Sequence, residues 1–253
     1  MAPVRPYYST GSLSAAHYDV VTAADTRLAG DIDLYAGLAP DGGSMLELGA
    51  GGGRVAFELA ARGFHLVGVD LSPAMLDKAQ ARLAQAPAEI AGRLAFRRGD
   101  MTALDLKRAF DAVICPYFTL AHVPAGAAWR NTFAVAARHL QPGGLAAFHL
   151  PRLDLMRLPG PDPAAPVMDR PLGDGRRLVL FVKSRSFRED IGRLDQVVEY
   201  VELGPAGVLR RSAERLTYYL TDPEPLAATA GLVRDRDPAP LGDVGDIWVF
   251  RKA

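Results

Sequence analysis

Met45-Leu46-Glu47-Leu48-Gly49-Ala50-Gly51-Gly52-Gly53-Arg54 is the stretch whose reading decides the fold. Met45, Leu46 and Leu48 read as the end of a buried strand, with Glu47 placed just before a turn. Gly49, Ala50, Gly51, Gly52 and Gly53 make a loop almost without side chains, where glycine permits positive φ and lets a ligand approach the backbone itself. Helical spacing resumes from Arg54 to Ala60, with Val55 and Leu59 on one face. The start of that helix presents N–H groups toward whatever the loop holds, which makes this a nucleotide-type turn. The dinucleotide fingerprint G-x-G-x-x-G needs a third glycine for helix–strand packing, and that position holds Arg54. The spacing present is Glu47-x-Gly49-x-Gly51-x-Gly53.

Working outward, Gly63 to Asp70 reads as a second buried strand ending in an acid. Asp70 stands 21 residues after Gly49, close to the roughly 20 at which a carboxylate reaches a ribose in this kind of turn. Leu71-Ser72-Pro73-Ala74-Met75-Leu76 follows, with Ser72 a good N-cap and Pro73 at the first helical position. Leu94 to Met101 is a strand ending in Gly99-Asp100-Met101, and Phe110 to Tyr117 is a fourth. The acidic turn, the run VDLSPAML, the Gly-Asp-Met end and FDAVICPY resemble, in order and spacing, four motifs of class I S-adenosylmethionine-dependent methyltransferases. The resemblance covers about residues 45–150 and includes the turn Gln141-Pro142-Gly143-Gly144.

Strand and helix alternate from 41 to 150: strands 44–48, 65–69, 94–98, 111–115 and 144–149, helices 53–62, 73–86 and 126–140. A run of βαβ units argues a parallel sheet covered on both faces, with ligand sites along the strand C-termini. Leu13 to Leu38 carries helical spacing broken at Gly30, and residues 151–171, with six prolines, read as a long irregular loop. Arg177–Arg188, Leu194–Leu203 and Val208–Leu220 read as a three-stranded antiparallel insert; a short helix and a last strand at 246–252 follow. The expected fold is α/β: a Rossmann-like, doubly wound, mostly parallel seven-stranded sheet with an N-terminal helical lid and an antiparallel β insert after the fifth strand. The expected division is residues 1–40 as lid, 41–150 and 222–253 as cofactor-binding core, and 151–221 as loop and insert. The family resemblance implies that such an insert walls the acceptor pocket and builds homodimer contacts.

Of the 253 residues, 49% are apolar and 23% charged, as in an ordinary globular protein. Lys plus Arg and Asp plus Glu number 29 each, so no overall charge draws the chain to nucleic acid. One cysteine, Cys115, excludes a disulfide framework within the chain, and no uninterrupted apolar run reaches the ~18 residues of a membrane span. MAPVRPYYSTGS lacks the apolar core of a signal peptide. The expected protein is cytoplasmic and acts on a small molecule, with neither nucleic acid nor membrane as partner. The five histidines are scattered without ligand spacing, so no metal set emerges, and no G-x-S-x-G elbow is present.

The resemblance implies S-adenosyl-L-methionine as cofactor, with S-adenosyl-L-homocysteine as product. It assigns Glu47, Gly49, Ala50, Gly51, Gly53, Asp70, Leu71, Met75, Asp100 and Met101 to the cofactor: Glu47 steadies the amino end or orients the loop, Asp70 takes the ribose hydroxyls or else caps the helix at Ser72, and Asp100 faces the adenine, with Met101 on its ring or in the core. Cys115 borders the reaction site. Tyr18 belongs either to a lid over the methionine end or to ordinary packing, and Arg27 either pairs with a carboxylate or stays solvated. Methyl transfer from a sulfonium rests mainly on holding the acceptor in line. An oxygen acceptor usually needs a base, whereas an amine needs orientation. Tyr117, Thr119 and His122, in CPYFTLAHVP, are the candidates, with His149 a weaker one. His122 would act as base or hold the acceptor; the competing reading has it satisfying local backbone. The expected activity is N- or O-methylation of a small acceptor, with N favoured by similarity to sugar and glycine N-methyltransferases. O-methylation of a secondary metabolite, a cofactor-binding protein without transfer, and a NAD-type dehydrogenase are the rivals; Arg54 counts against the last.

Overall fold

The structure, a computed structural model, describes residues 3–23, 25 and 28–253. Its first elements are β1 (Arg5–Pro6), α1 (Leu13–Ala16), α2 (Tyr18–Ala23) and α3 (Asp31–Ala36). The alternating region follows as β2 (Ser44–Leu48), α4 (Arg54–Ala61), β3 (His65–Asp70), α5 (Pro73–Leu83), α6 (Ala88–Ala91), β4 (Leu94–Arg98), β5 (Phe110–Cys115), α7 (Ala127–Arg138) and β6 (Leu140–Pro151). Then come α8 (Leu153–Met156), β7 (Met168–Gly173), β8 (Arg176–Arg188), β9 (Arg193–Gly204) and β10 (Gly207–Tyr219). The chain closes with α9 (Glu224–Ala228), β11 (Leu232–Arg234), β12 (Ala239–Leu241) and β13 (Gly245–Lys252). Two compact units result: a larger one of residues 27–152 and 220–253, and a smaller one of residues up to 26 with 153–219.

In the larger unit the strand order is β11-β13-β6-β5-β2-β3-β4, with β12 paired beside β13. β2 runs parallel to both β3 and β5, and β13 lies antiparallel to β6. This is the doubly wound, mostly parallel sheet that the βαβ pattern predicts. Seven strands lie on its path, and β12 is an eighth that the sequence reading lacked. Strand succession reverses at β2, with β3 and β4 on one side and β5 and β6 on the other, so a crevice opens at the C-terminal ends there.

Both sheet faces are covered, which is why these strands read as continuous apolar runs. Met45, Ala112 and Ile114 pack with Tyr35, Phe57 and Leu59 on one face. Leu46, Leu48 and Val113 pack with Trp129, Phe133 and Phe148 on the other. Successive strand residues alternate faces, so Glu47 shares the face of Met45 rather than that of its neighbours. A polar side chain is thereby delivered to an apolar layer.

The smaller unit holds a five-stranded sheet, β1-β10-β9-β8-β7, where three strands were expected. β8, β9 and β10 form the antiparallel meander; β7 and the short parallel β1 extend its edges. β7 comes partly from the stretch expected to be an irregular loop. Pro171 is tolerated because β7 is an edge strand, and Arg177 Nε ties it to Asp169 Oδ1 at 2.9 Å. The rest of that stretch contains α8 and is pinned where Arg185 Nε donates to the Leu158 carbonyl at 2.9 Å.

Among the described residues, the helical stretch expected over 13–38 with a break at Gly30 is divided further, into α1, α2 and α3. Ser12 Oγ caps α1, His17 leaves helical geometry at φ −112°, and Gly30 before α3 stands at φ +91°. Arg27 lies outside the described residues. α1 is held to its sheet by the buried Glu214, whose Oε1 accepts from the N–H groups of Leu13 (2.9 Å) and Ser14 (3.2 Å) and from Ser212 Oγ (2.6 Å).

Candidate functional site

β2 ends at Leu48, and the chain passes through the glycine turn into α4. The N–H groups of Gly49 and Ala50 both donate to the Val69 carbonyl, at 2.8 and 3.0 Å, which docks the turn on β3. Gly49 has φ +73°, and a Cβ there would lie 2.1 Å from Thr119 Cγ2. Gly53, at φ +82°, would place a Cβ 2.8 Å from the Phe96 ring. These two glycines are therefore required by packing as well as by backbone conformation.

Asp70 closes the turn from the end of β3. Its Oδ2 accepts the Gly51 N–H at 2.8 Å and its Oδ1 accepts the Ser72 N–H at 2.8 Å. A carboxylate has about four lone-pair sites, so Asp70 keeps acceptor capacity beyond its backbone partners for a ligand hydroxyl. Burial pushes the Asp70 carboxyl upward, while the N–H groups of Ser72, Gly51 and Leu71 oppose that shift. The Gly99 N–H donates to the Asp70 carbonyl at 3.1 Å and so brings the end of β4 alongside.

Glu47, only 2% exposed, lies behind the turn. Its carboxyl accepts the Ala56 N–H at the start of α4, yet Oε2 is buried with no hydrogen-bond partner among the described residues. Burial raises the group to about 8; Arg54 opposes the shift, and Asp70 and Asp31 reinforce it. Arg54 is itself committed: both guanidinium Nη atoms donate to Asp31, Nη1 to Oδ1 at 3.3 Å and Nη2 to Oδ2. The Tyr35 hydroxyl on α3 is a second buried oxygen without a partner. Its phenol is raised well above the ordinary value, by burial first and by the Asp31 charge next. Tyr35, Asp31 and the Asp31–Arg54 pair were absent from the sequence reading; Arg54 appeared there as the start of the helix and in the place of a third glycine.

Beyond β5 the backbone is strained. Tyr117 and Phe118 take φ of +51° and +62°, a left-handed conformation costing non-glycine residues roughly 1–2 kcal/mol each. Such outliers gather at functional sites. The two rings stack with centroids 5.9 Å apart, and a 3-10 turn over Thr119–His122 follows. Thr119 Oγ1 donates to the Pro116 carbonyl at 2.7 Å, and its methyl faces Gly49. Tyr117 and His122 are half-buried. His149 is fully buried at the end of β6, its ring centroid 4.4 Å from that of Phe118.

The other expected site residues fall in distinct places. Ala50, Met75 and Cys115 are buried, and burial drives the Cys115 thiol strongly upward. Leu71 is 61% exposed beside Asp70. Asp100 is exposed, its Oδ1 accepting the N–H and hydroxyl of Thr102 at 2.8 Å each. Met101 packs against the layer of Trp129 and Leu46. Tyr18 belongs to the smaller unit, buried and edge-on to Tyr8. Among the described residues no three His, Cys, Asp or Glu gather as a metal would need, and no helix is long and apolar enough to cross a membrane.

The larger unit thus offers a glycine turn, a carboxylate with spare acceptor capacity at the next strand end and, among the described residues, two buried oxygens without partners. That set fits a ligand with a hydroxyl pair and a positively charged end. Residues 45–144 match the family described as a methyltransferase domain. A dTDP-4-amino-2,3,4,6-tetradeoxy-D-glucose N,N-dimethyltransferase of Saccharopolyspora spinosa is 31% identical over 134 residues, 51% of each chain. A ubiquinone biosynthesis O-methyltransferase of Aromatoleum aromaticum is 35% identical over 117 residues, 46% of this chain and 47% of that one. The chain thus matches about half the length of these curated relatives. An S-adenosylmethionine-bound amino pentose methyltransferase of calicheamicin biosynthesis from Micromonospora echinaspora superimposes with a TM-score of 0.74 at 22% identity, covering 93% of this chain and 96% of that one. At that identity the likeness establishes a shared fold.

Proposed function

We infer that this chain, a methyltransferase domain over residues 45–144 with the class I methyltransferase fold, transfers a methyl group from S-adenosylmethionine to a small-molecule acceptor. The observation that carries the reading is Asp70 at the end of β3, tied to Gly51 of the acid–glycine turn while keeping lone pairs for a ribose. When bound, S-adenosylmethionine supplies a methyl group already activated on a sulfonium. The residues assigned to hold it are Asp70 for the ribose hydroxyls, Glu47 and the glycine turn for the amino-acid end, and Leu71 with Asp100 and Met101 for the base. Tyr117 and His122 border the acceptor.

An amine acceptor is favoured, supported by the N-methylating relative and by the fold shared with an amino-sugar enzyme. For an amine the chain's task is to orient a lone pair and exclude water, not to remove a proton before attack. On this reading His122→Ala lowers kcat by less than about tenfold; a loss of 10² or more, the scale of general-base catalysis, would move the assignment to O-methylation. The O-methylating relative keeps that second reading in view. The zero formal net charge supports a small acceptor rather than nucleic acid. A cytoplasmic location and a homodimer built on the smaller unit's sheet complete the proposal.

The deciding experiment is calorimetric titration with S-adenosylmethionine, S-adenosylhomocysteine and NAD. Micromolar binding of the first two and none of the third is expected. An acceptor screen of amino sugars and phenols then separates N- from O-transfer. Binding without turnover on any acceptor would favour a protein that holds the cofactor but has lost transfer.

A further inference from the structure

The charges around Glu47 do not balance. The groups acting on it are Asp31 and Tyr35 from α3, Arg54 from α4, Asp70 from β3 and Cys115 from β5. Arg54 is the cation in this set, and its fork is held by Asp31. Asp70 spends an oxygen each on Gly51 and Ser72. Glu47 keeps one N–H donor at Ala56 and a buried oxygen, Oε2, with none. A carboxylate there would be a buried charge lacking, among the described residues, a counter-ion of its own, an arrangement that favours the neutral acid.

Building on the cofactor reading above, we propose that Glu47 carries a proton in the ligand-free protein and releases it to solvent when the positively charged cofactor binds. The cofactor's positive end is the counter-ion that the site lacks, and an opposite charge nearby favours the ionised carboxyl. The proton balance is simple: one leaves the Glu47 carboxyl for the buffer, and no covalent bond between heavy atoms changes. The position of the free acid agrees, since burial lifts Glu47 to about 8. Near neutral pH the empty site is mostly protonated, so binding has to displace a proton. Affinity for S-adenosylmethionine then climbs with pH, by roughly tenfold per unit below pH ~7, and flattens above the free-site value.

Calorimetry in buffers of different ionisation enthalpy counts the protons. At about pH 6.5 the wild-type chain is expected to release close to one proton per S-adenosylmethionine bound. Glu47→Gln, which keeps the shape and removes the titrating group, is expected to release almost none, and its affinity should change little with pH. Titration with S-adenosylhomocysteine identifies the partner charge. Equal release assigns the ammonium shared by both ligands, whereas release with the sulfonium alone assigns the sulfonium. Tight binding without buffer dependence, or undiminished release in Glu47→Gln, would overturn the proposal and leave the cofactor reading standing. Failure of S-adenosylmethionine to bind at all would remove that reading and this one with it.

Discussion

A carboxyl buried as completely as that of Glu47 binds its proton more tightly folded than unfolded, and this fixes a sign. With the folded group at about 8, against 4.5 for an ordinary carboxyl, its contribution to stability is fully present below pH ~4.5 and is lost as pH rises through 8. The loss runs at up to roughly 1.4 kcal/mol per pH unit. Denaturant unfolding of the ligand-free protein should therefore give a less stable wild type at high pH than at low, with a flatter profile for Glu47→Gln; matching profiles would contradict this. Asp70 ties the loop and, on the proposed reading, also binds the ribose. Asp70→Ala is expected to weaken S-adenosylmethionine binding at least tenfold, about 1.4 kcal/mol, and to cost ~1–3 kcal/mol of stability because Gly51 and Ser72 lose their acceptor. Unchanged calorimetric affinity in a folded variant would remove the ribose assignment. Both acids are legible in the sequence because strand-end positions beside a glycine turn have fixed backbone geometry. Tyr35 and the Asp31–Arg54 pair are not, because their meeting depends on how α3 packs against α4, which no local spacing encodes.

At the scale of elements, the turn after β2 works because a threonine from a distant segment occupies the space a side chain would need. Gly49→Ala would drive Cβ into Thr119 and force a left-handed alanine. The expected cost is about 1–3 kcal/mol on denaturant unfolding, together with weakened cofactor binding. In the smaller unit, Glu214→Ala strips the acceptor from Leu13 and Ser14. Hydrogen exchange should then speed up over residues 12–16 while the pairing of β8 with β9 stays protected; unchanged exchange in α1 would show that Glu214 does not hold it. The parallel strands were legible because both their faces are covered and their apolar runs are unbroken. β7 and β1 were not, since an edge strand of two to six residues, each containing a proline, draws its pairing from the neighbour rather than from its own pattern. The helical spacing over 13–38 misled for a related reason. Gly30 was visible as a break, but the departure at His17 was not.

At the scale of the molecule, the reporters fall conveniently. Trp129, Trp248 and the single Cys115 all belong to the larger unit, so indole fluorescence and thiol labelling follow that unit alone. Cys115 is fully buried with its thiol held protonated, and a disulfide reagent should leave it untouched until denaturant quenches the tryptophan signal. Labelling before that transition would mean that the end of β5 opens locally. The alternating strands and helices, and the antiparallel strands that follow them, were readable from the order of patterns along the chain. The attachment of the first residues to the insert sheet was not, because β1 meets β10 across some two hundred positions. The same discontinuity bears on how the protein is made. β13 sits between β6 and β11 in the larger sheet, yet it leaves the ribosome after the whole insert. The meander of β8, β9 and β10 pairs neighbours in sequence and can close while synthesis continues, whereas β6 must wait with one edge bare. A nascent chain stalled before β13 would present that edge to other chains, making the last strand the point at which translation ends the risk of aggregation.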